Sequence, residues 1–286
     1  MANTILKNTL KKFLPKRFSS YLYKINKSLT LRSPENYCIL CNSKFSSFLP
    51  SEPYYTEMWG KYQFIHSVFC FETYNFLKHH CPKCYSSDRN RLYALYFKQL
   101  FYTKSSDDIC FLDIAPDKML AKWIRENSKV QYRSVDLYRT DVDDNADITD
   151  LNIYKDEQFD IILCSHVLEH IENDIKAISE LYRILKTGGI AIMMVPIMLT
   201  LSEDLENPNW VSDADRWKYY GQNDHVRMYS KSGFIRKLEQ AGFTVRQLGI
   251  EYFEIDTSKR MESVITQYYI VFLNNLIKKL CAEFVE

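Results

Sequence analysis

From residue 108 onward the chain alternates between two hydrophobic periods. Asp108–Ala115, Phe159–Val167 and Ile190–Ile197 are near-continuous apolar runs, the pattern of strands buried on both faces. Tyr132–Tyr138 and Phe243–Ile250 predict two further strands, and Gln267–Leu273 a late one rich in β formers. Between them, Asp117–Asn127, Asp174–Leu185 and Lys231–Ala241 place apolar residues three and four apart, which predicts amphipathic helices. Pro116 is suited to start the first helix, Lys186-Thr187-Gly188-Gly189 to cap the second, and Gly242 to stop the third. Strands alternating with helices predict an α/β fold with a mainly parallel sheet covered on both sides. Residues 198–230 show no clear period and read as a long loop or lid.

Composition narrows the function classes. The 286 residues are 46% hydrophobic, enough for a substantial core, and the net charge of +1 gives no overall attraction to nucleic acid or membrane. None of the seven glycines falls between Gly60 and Gly188, so a glycine-rich phosphate loop is absent from the middle of the chain. No apolar run reaches the roughly 18 residues needed to cross a bilayer, and no secretory signal is evident. Reduced cysteines and a cytoplasmic location are therefore expected.

In doubly wound sheets, ligands sit beyond the carboxyl ends of the strands. Three acids fall at such ends. Asp113 lies near the end of the first strand, with Ala115 and Pro116 in the turn where a glycine would be usual. Asp136, followed by Leu137, ends the second strand at a spacing suited to a ribose-binding acid. Asp147, beside Ile148, stands where a third strand should end. Solvated loop acids and helix caps are the alternative reading. The missing glycines argue against a dinucleotide, whose pyrophosphate needs close backbone approach.

The run FDIILCSHVLEHIENDIKAISELYRILKTGGIAIMMVPI resembles the class I S-adenosylmethionine-dependent methyltransferases, and the likeness extends over about residues 108–275. The resemblance implies a Rossmann-like seven-stranded sheet with helices on both faces and a late strand inserted antiparallel. It implies that Asp113, Ala115 and Pro116 lie by the amino-acid part of S-adenosylmethionine, Asp136 and Leu137 by the ribose, and Asp147 and Ile148 by the adenine. Ser165 and His166 match positions facing cofactor and substrate. Segment 198–230 takes the place of the family's acceptor-binding loops. Its "GQNDHVRMY" looks like a segment of family members from polysaccharide biosynthesis.

Two C-x-x-C pairs precede this region: Cys38 with Cys41, and Cys81 with Cys84. Four thiolates can close a tetrahedral structural zinc site; plain reduced cysteines or disulfides are the alternatives. The intervening segment must form its own hairpin or helix. Arg89 and Arg91 follow, either gripping an anion or serving as surface and interdomain ion-pair residues. Residues 1–30 intersperse lysines and one arginine with apolar residues and contain no acid. Such a basic amphipathic segment suits a solvated arm or peripheral contact with an anionic membrane; a mitochondrial transit peptide is similar in composition.

The expected organisation is an arm over 1–36, a zinc-ribbon-like module over 37–104 and a methyltransferase domain over 105–286. The expected activity is O-methylation of a small-molecule or sugar (glycan-precursor) acceptor. His225 is the first candidate general base, with Asp224 and His166 next. His166 and His170 are four apart and imitate a metal pair, but no third ligand is evident from sequence. The rival readings are an RNA or protein methyltransferase that recognises its target through the zinc module, and a non-catalytic binding protein of the same fold. There is no strong nucleic-acid signal.

Overall fold

A computed structural model describes residues 36–72, 74–103, 108–248, 252 and 270–274. The basic segment 1–30 lies outside the described residues. In the N-terminal part, β1 (Asn36–Cys38) and β2 (Ser43–Phe45) form an antiparallel hairpin, and α1 spans Pro53–Lys61. The second cysteine pair then leads into the long helix α2 (Asp88–Thr103).

Seven strands make the main sheet: β3 (Cys110–Ile114), β4 (Gln131–Asp136), β5 (Asp144–Asn145), β6 (Phe159–Ser165), β7 (Leu185–Met194), β8 (Val245–Leu248) and β9 (Ile270–Asn274). Their order is β5-β4-β3-β6-β7-β9-β8. β3 to β7 pair in parallel, and β9 inserts antiparallel between β7 and β8. The helices are α3 (Lys118–Asn127), α4 (Asp174–Ile184), α5 (Asp213–Tyr220) and α6 (Lys231–Gln240).

The apolar runs alternate between two cores, as pleated strands must. Phe111, Ile161, Leu163, Ile192 and Met194 face a core shared with Leu92 and Phe97 of α2 and Leu120 and Trp123 of α3. Leu112, Ile162, Cys164, Ala191 and Met193 face the opposite core, shared with Ile178 and Leu181 of α4 and Phe234 and Leu238 of α6. Each large side chain so buried contributes roughly 1.5–3 kcal/mol. Hence α2, which leaves the cysteine pair, is also part of the sheet's cover.

Three local expectations change. Pro116 does not open α3: Asp117 is its N-cap, accepting from the Met119 and Leu120 amides at 3.0 and 2.9 Å, and Pro116 precedes the cap. The Lys186–Gly189 run does not cap α4. It lies in β7, where pairing shifts from Phe159 with Leu185 to Ile161 with Ile190, so the glycines serve a bulge. A side chain on Gly189 would meet the Lys186 carbonyl at 2.8 Å. Finally, segment 198–230 contains α5, N-capped by Ser212 and ended by the left-handed Gly221. That helix is only two turns long, too short to impose a visible period.

Candidate active site

The sheet reverses its order between β3 and β6, so a crevice opens beyond their carboxyl ends. Both strands end in a strained residue. Ala115 has φ +51° and His166 has φ +56°, the left-handed region that costs a non-glycine residue about 1–2 kcal/mol. Ala115 therefore adopts the backbone conformation of the absent glycine, and its amide is fixed by the Val135 carbonyl at 2.8 Å. The turn stays open without a glycine because alanine's methyl is small.

Around this turn the predicted residues take distinct positions. Asp113 is buried and accepts the Tyr132 hydroxyl at 2.7 Å. Burial raises its carboxyl to about 7, an effect the Tyr132 bond only partly offsets. Asp136 is half-buried at the end of β4. Its Oδ1 accepts the Tyr138 and Arg139 amides at 2.8 and 3.0 Å, while Oδ2 has no hydrogen-bond donor among the described residues. Leu137 and Tyr138 beside it expose apolar surface. A free carboxylate oxygen next to uncovered apolar side chains fits a ribose with its attached base. Ile148 is buried, and Asp147 Oδ1 accepts the Thr149 amide at 2.8 Å in a local turn. Ser165 shares a 2.7 Å hydrogen bond with Tyr93 of α2.

Above the crevice lies a cavity of about 490 Å³. One wall comes from the N-terminal part, including Tyr55 and Trp59 of α1 and Arg89 and Asn90 of α2. The other includes Tyr220, Gln222 and His225, and the floor includes Asp117, His166, Glu169 and Pro196. Trp59 Nε1 donates to the Gly221 carbonyl at 2.8 Å, joining the two walls. Glu72, buried, binds Lys231 at 2.8 Å and adds a second tie to the sheet domain.

The floor holds a group the sequence left scattered. Arg227 is buried and donates to the Leu168 and Glu172 carbonyls at 3.0 and 2.8 Å, while Val226 N donates to the Glu169 carbonyl at 2.9 Å. Arg227 thus laces the 222–229 loop to the turn after β6. The result places His225 against His170, with ring centroids 4.8 Å apart. Ligand-capable atoms of Glu169, His170 and His225 all lie within 4.8 Å of one another. His166 borders this group: its Nδ1 is 3.1 Å from Glu169 Oε1 and its Nε2 is 2.5 Å from Arg89. Burial and the Arg89 cation push the His166 imidazole down to about 4. Burial alone would raise Glu169, but the surrounding histidines outweigh it and hold the carboxyl at about 2. Burial also lowers His225. Asp224 is exposed, and its carboxylate accepts Gln222 Nε2 at 3.0 Å.

In the N-terminal part, Cys38 and Cys81 are fully buried and Cys41 and Cys84 half-buried. The sulfurs of Cys38 and Cys84, and of Cys41 and Cys81, are 3.8 Å apart, and all four lie within 4.8 Å. A disulfide would bring sulfurs to about 2.05 Å. A tetrahedral ion with bonds of about 2.3 Å would separate them by about 3.8 Å, so the donor set fits a metal. Arg91 is not a surface residue. It is buried, donates to the His79 and Ser86 carbonyls at 3.0 and 2.7 Å, and covers the Phe48 ring, holding the second cysteine loop in place. Two residues earlier, Arg89 faces the cavity.

Among the described residues no helix is long and apolar enough to cross a membrane. Comparison with known proteins finds no curated protein that matches. Solved structures with a similar course include a SAM dependent methyltransferase from Archaeoglobus fulgidus, 13% identical, covering 66% of this chain and 95% of that one with a TM-score of 0.41. A putative methyltransferase from Bacillus halodurans is 19% identical over 63% and 94% of the two chains, with a TM-score of 0.37. The model of one family, described as a methyltransferase domain, matches residues 85–248, more than half of the chain and a span that includes α2. With the sheet order and the inserted antiparallel strand, that match establishes the chain as a member of the S-adenosylmethionine-dependent methyltransferases.

Proposed function

We propose that the protein O-methylates a small-molecule or sugar acceptor held in the cavity over β3 and β6. The carrying observation is the cavity itself: about 490 Å³, walled by aromatic and polar side chains from both parts of the chain. That volume suits a compact acceptor rather than a polymer strand. Hydroxyl-bearing rings suit these walls, since Tyr55 and Trp59 offer faces while Asn90 and Gln222 offer donors and acceptors. Arg89 suits an acceptor that also carries a negative group.

When bound, S-adenosylmethionine supplies an electrophilic methyl group on a sulfonium sulfur. In this reading Asp136 holds the ribose, and the turn at Ala115 gives room and backbone groups to the amino-acid end. Asp113 stiffens that turn from below. The protein's remaining work is alignment of the acceptor and removal of its hydroxyl proton. His225 is neutral near physiological pH and can take that proton, with His166 and Asp224 as the further candidates. The cysteine cluster is proposed to hold one structural zinc ion, which fixes the segment that forms one cavity wall. Four sulfur ligands leave it no open position for chemistry.

The test is calorimetry with S-adenosylmethionine followed by an acceptor screen that reads the demethylated cofactor. Binding together with turnover of hydroxylated small molecules is the expected result. Folded protein that does not bind the cofactor would sink the enzyme reading. Turnover only on RNA or protein would sink the acceptor class.

A further inference from the structure

Glu169, His170 and His225 meet on the cavity floor, and each is short of a partner in a way that points to a missing ligand. Glu169 is 1% exposed; its Oε1 lies 3.1 Å from His166 Nδ1, while its Oε2 has no hydrogen-bond partner among the described residues. A buried carboxylate with one oxygen lacking a donor is costly, and a cation is a ligand that satisfies it. His225 is 5% exposed; a backbone hydrogen bond to Tyr220 engages its ring, and its Nδ1 is left without a partner. His170 places Nδ1 3.2 Å from the Asp224 carbonyl, an arrangement that leaves Nε2 as the lone-pair nitrogen. Metal-binding histidines are oriented in this manner, one nitrogen on a carbonyl and the other on the ion. His166, held between Arg89 and Glu169, positions the carboxylate.

We propose that Glu169, His170 and His225 form a divalent-cation site whose open coordination positions face the acceptor cavity. Ligand atoms within 4.8 Å of one another leave a point no farther than about 2.8 Å from all three. Bonds of about 2.0–2.2 Å then require a contraction of well under 1 Å each. Two imidazoles and one carboxylate with open positions suit a first-row ion of the Mn²⁺ or Fe²⁺ kind better than Ca²⁺ or Mg²⁺. This deepens the proposed function and rests on its placement of the acceptor. An acceptor with two adjacent hydroxyls, a catechol or a sugar diol, can chelate such an ion through both oxygens. The ion acidifies the hydroxyl, whose proton passes to solvent. His225 is then a metal ligand rather than the general base.

The experiment uses the full chain, dialysed against a weak chelator so that the cysteine cluster keeps its ion. Mn²⁺ is titrated in and the free aqueous ion is followed by electron paramagnetic resonance. The wild type should remove about one equivalent from the aqueous signal, and His170→Ala and His225→Gln should weaken that binding at least ~10-fold. Circular dichroism and binding of S-adenosylmethionine check that each variant is folded. If His225→Gln does not fold, His170→Ala decides, since that ring is partly solvent-exposed. Wild-type protein that binds the cofactor but leaves Mn²⁺ free overturns the metal site while the methyltransferase reading stands. Variants that bind Mn²⁺ as tightly as wild type overturn it too. Loss of cofactor binding by the wild type would be a separate failure, of the function proposed above.

Discussion

Asp113 gives the most quantitative handle on this fold. It sits in β3 between β4 and β6, is 1% exposed, and holds one hydroxyl, that of Tyr132. Its carboxyl is raised from an ordinary 3.8 to about 7, chiefly by burial. In the unfolded chain the group ionises near pH 4, whereas in the folded chain it keeps its proton to about pH 7. Between those values the folded state binds one more proton, so the stability it adds is full below about pH 4 and is lost as pH rises towards 7. The slope is about 1.4 kcal/mol per pH unit, up to about 4 kcal/mol in all. Asp113→Asn keeps the shape and an acceptor for Tyr132 but cannot ionise. Urea denaturation of both proteins, without ligand, from pH 4.5 to 8 is the assay. Wild type should lose ground to the variant as pH rises towards 7, seen as a urea midpoint that falls by about 0.3–1 M for each kcal/mol. Parallel stability curves would show that Asp113 is ionised in the native state and refute the reasoning.

Asp136→Ala should weaken S-adenosylmethionine binding ~10- to 100-fold by calorimetry, because charge-assisted hydrogen bonds to ribose hydroxyls are lost; unchanged affinity would remove Asp136 from the site. After dialysis against a weak chelator, elemental analysis should find about one zinc per chain, and Cys81→Ser/Cys84→Ser should lose it. Arg91→Met should cost about 3 kcal/mol or more in urea denaturation, since it strands buried carbonyls of the second cysteine loop. Gly221→Ala should cost about 1–2 kcal/mol, because φ is +79° and the new methyl would meet Phe64 at 3.1 Å; no loss would show that the turn can re-form.

The sheet was legible because Ile161 to Cys164 and Ala191 to Met194 are buried on both faces, which writes an unbroken apolar run into the chain. The acids at strand ends were legible for the same reason, since a strand's end fixes where its next residue lies. The cavity floor was not. His225 meets Glu169 through the bonds of Arg227 and Val226 among others, a tertiary lacing across more than fifty residues that leaves no local period. The signal that existed was the spacing of His166 and His170, which imitated a metal pair without a third ligand; the structure puts Glu169 and His225 beside His170. Arg91 escaped for a related reason. Its hydrogen bonds run to backbone carbonyls, including those of His79 and Ser86, and a backbone carbonyl has no letter in a sequence.

The tie between Trp59 and Gly221 has a further meaning. In the proposed reading the cofactor side of the crevice is made by the sheet domain, while the acceptor side is closed by a separate stretch of chain that carries its own cysteine cluster. Substitutions in that stretch can reshape which acceptor is admitted without disturbing Asp136 or the Ala115 turn. In that reading the two halves of the site are free to diverge at different rates, and the Trp59 contact is one point on a seam along which they must stay matched.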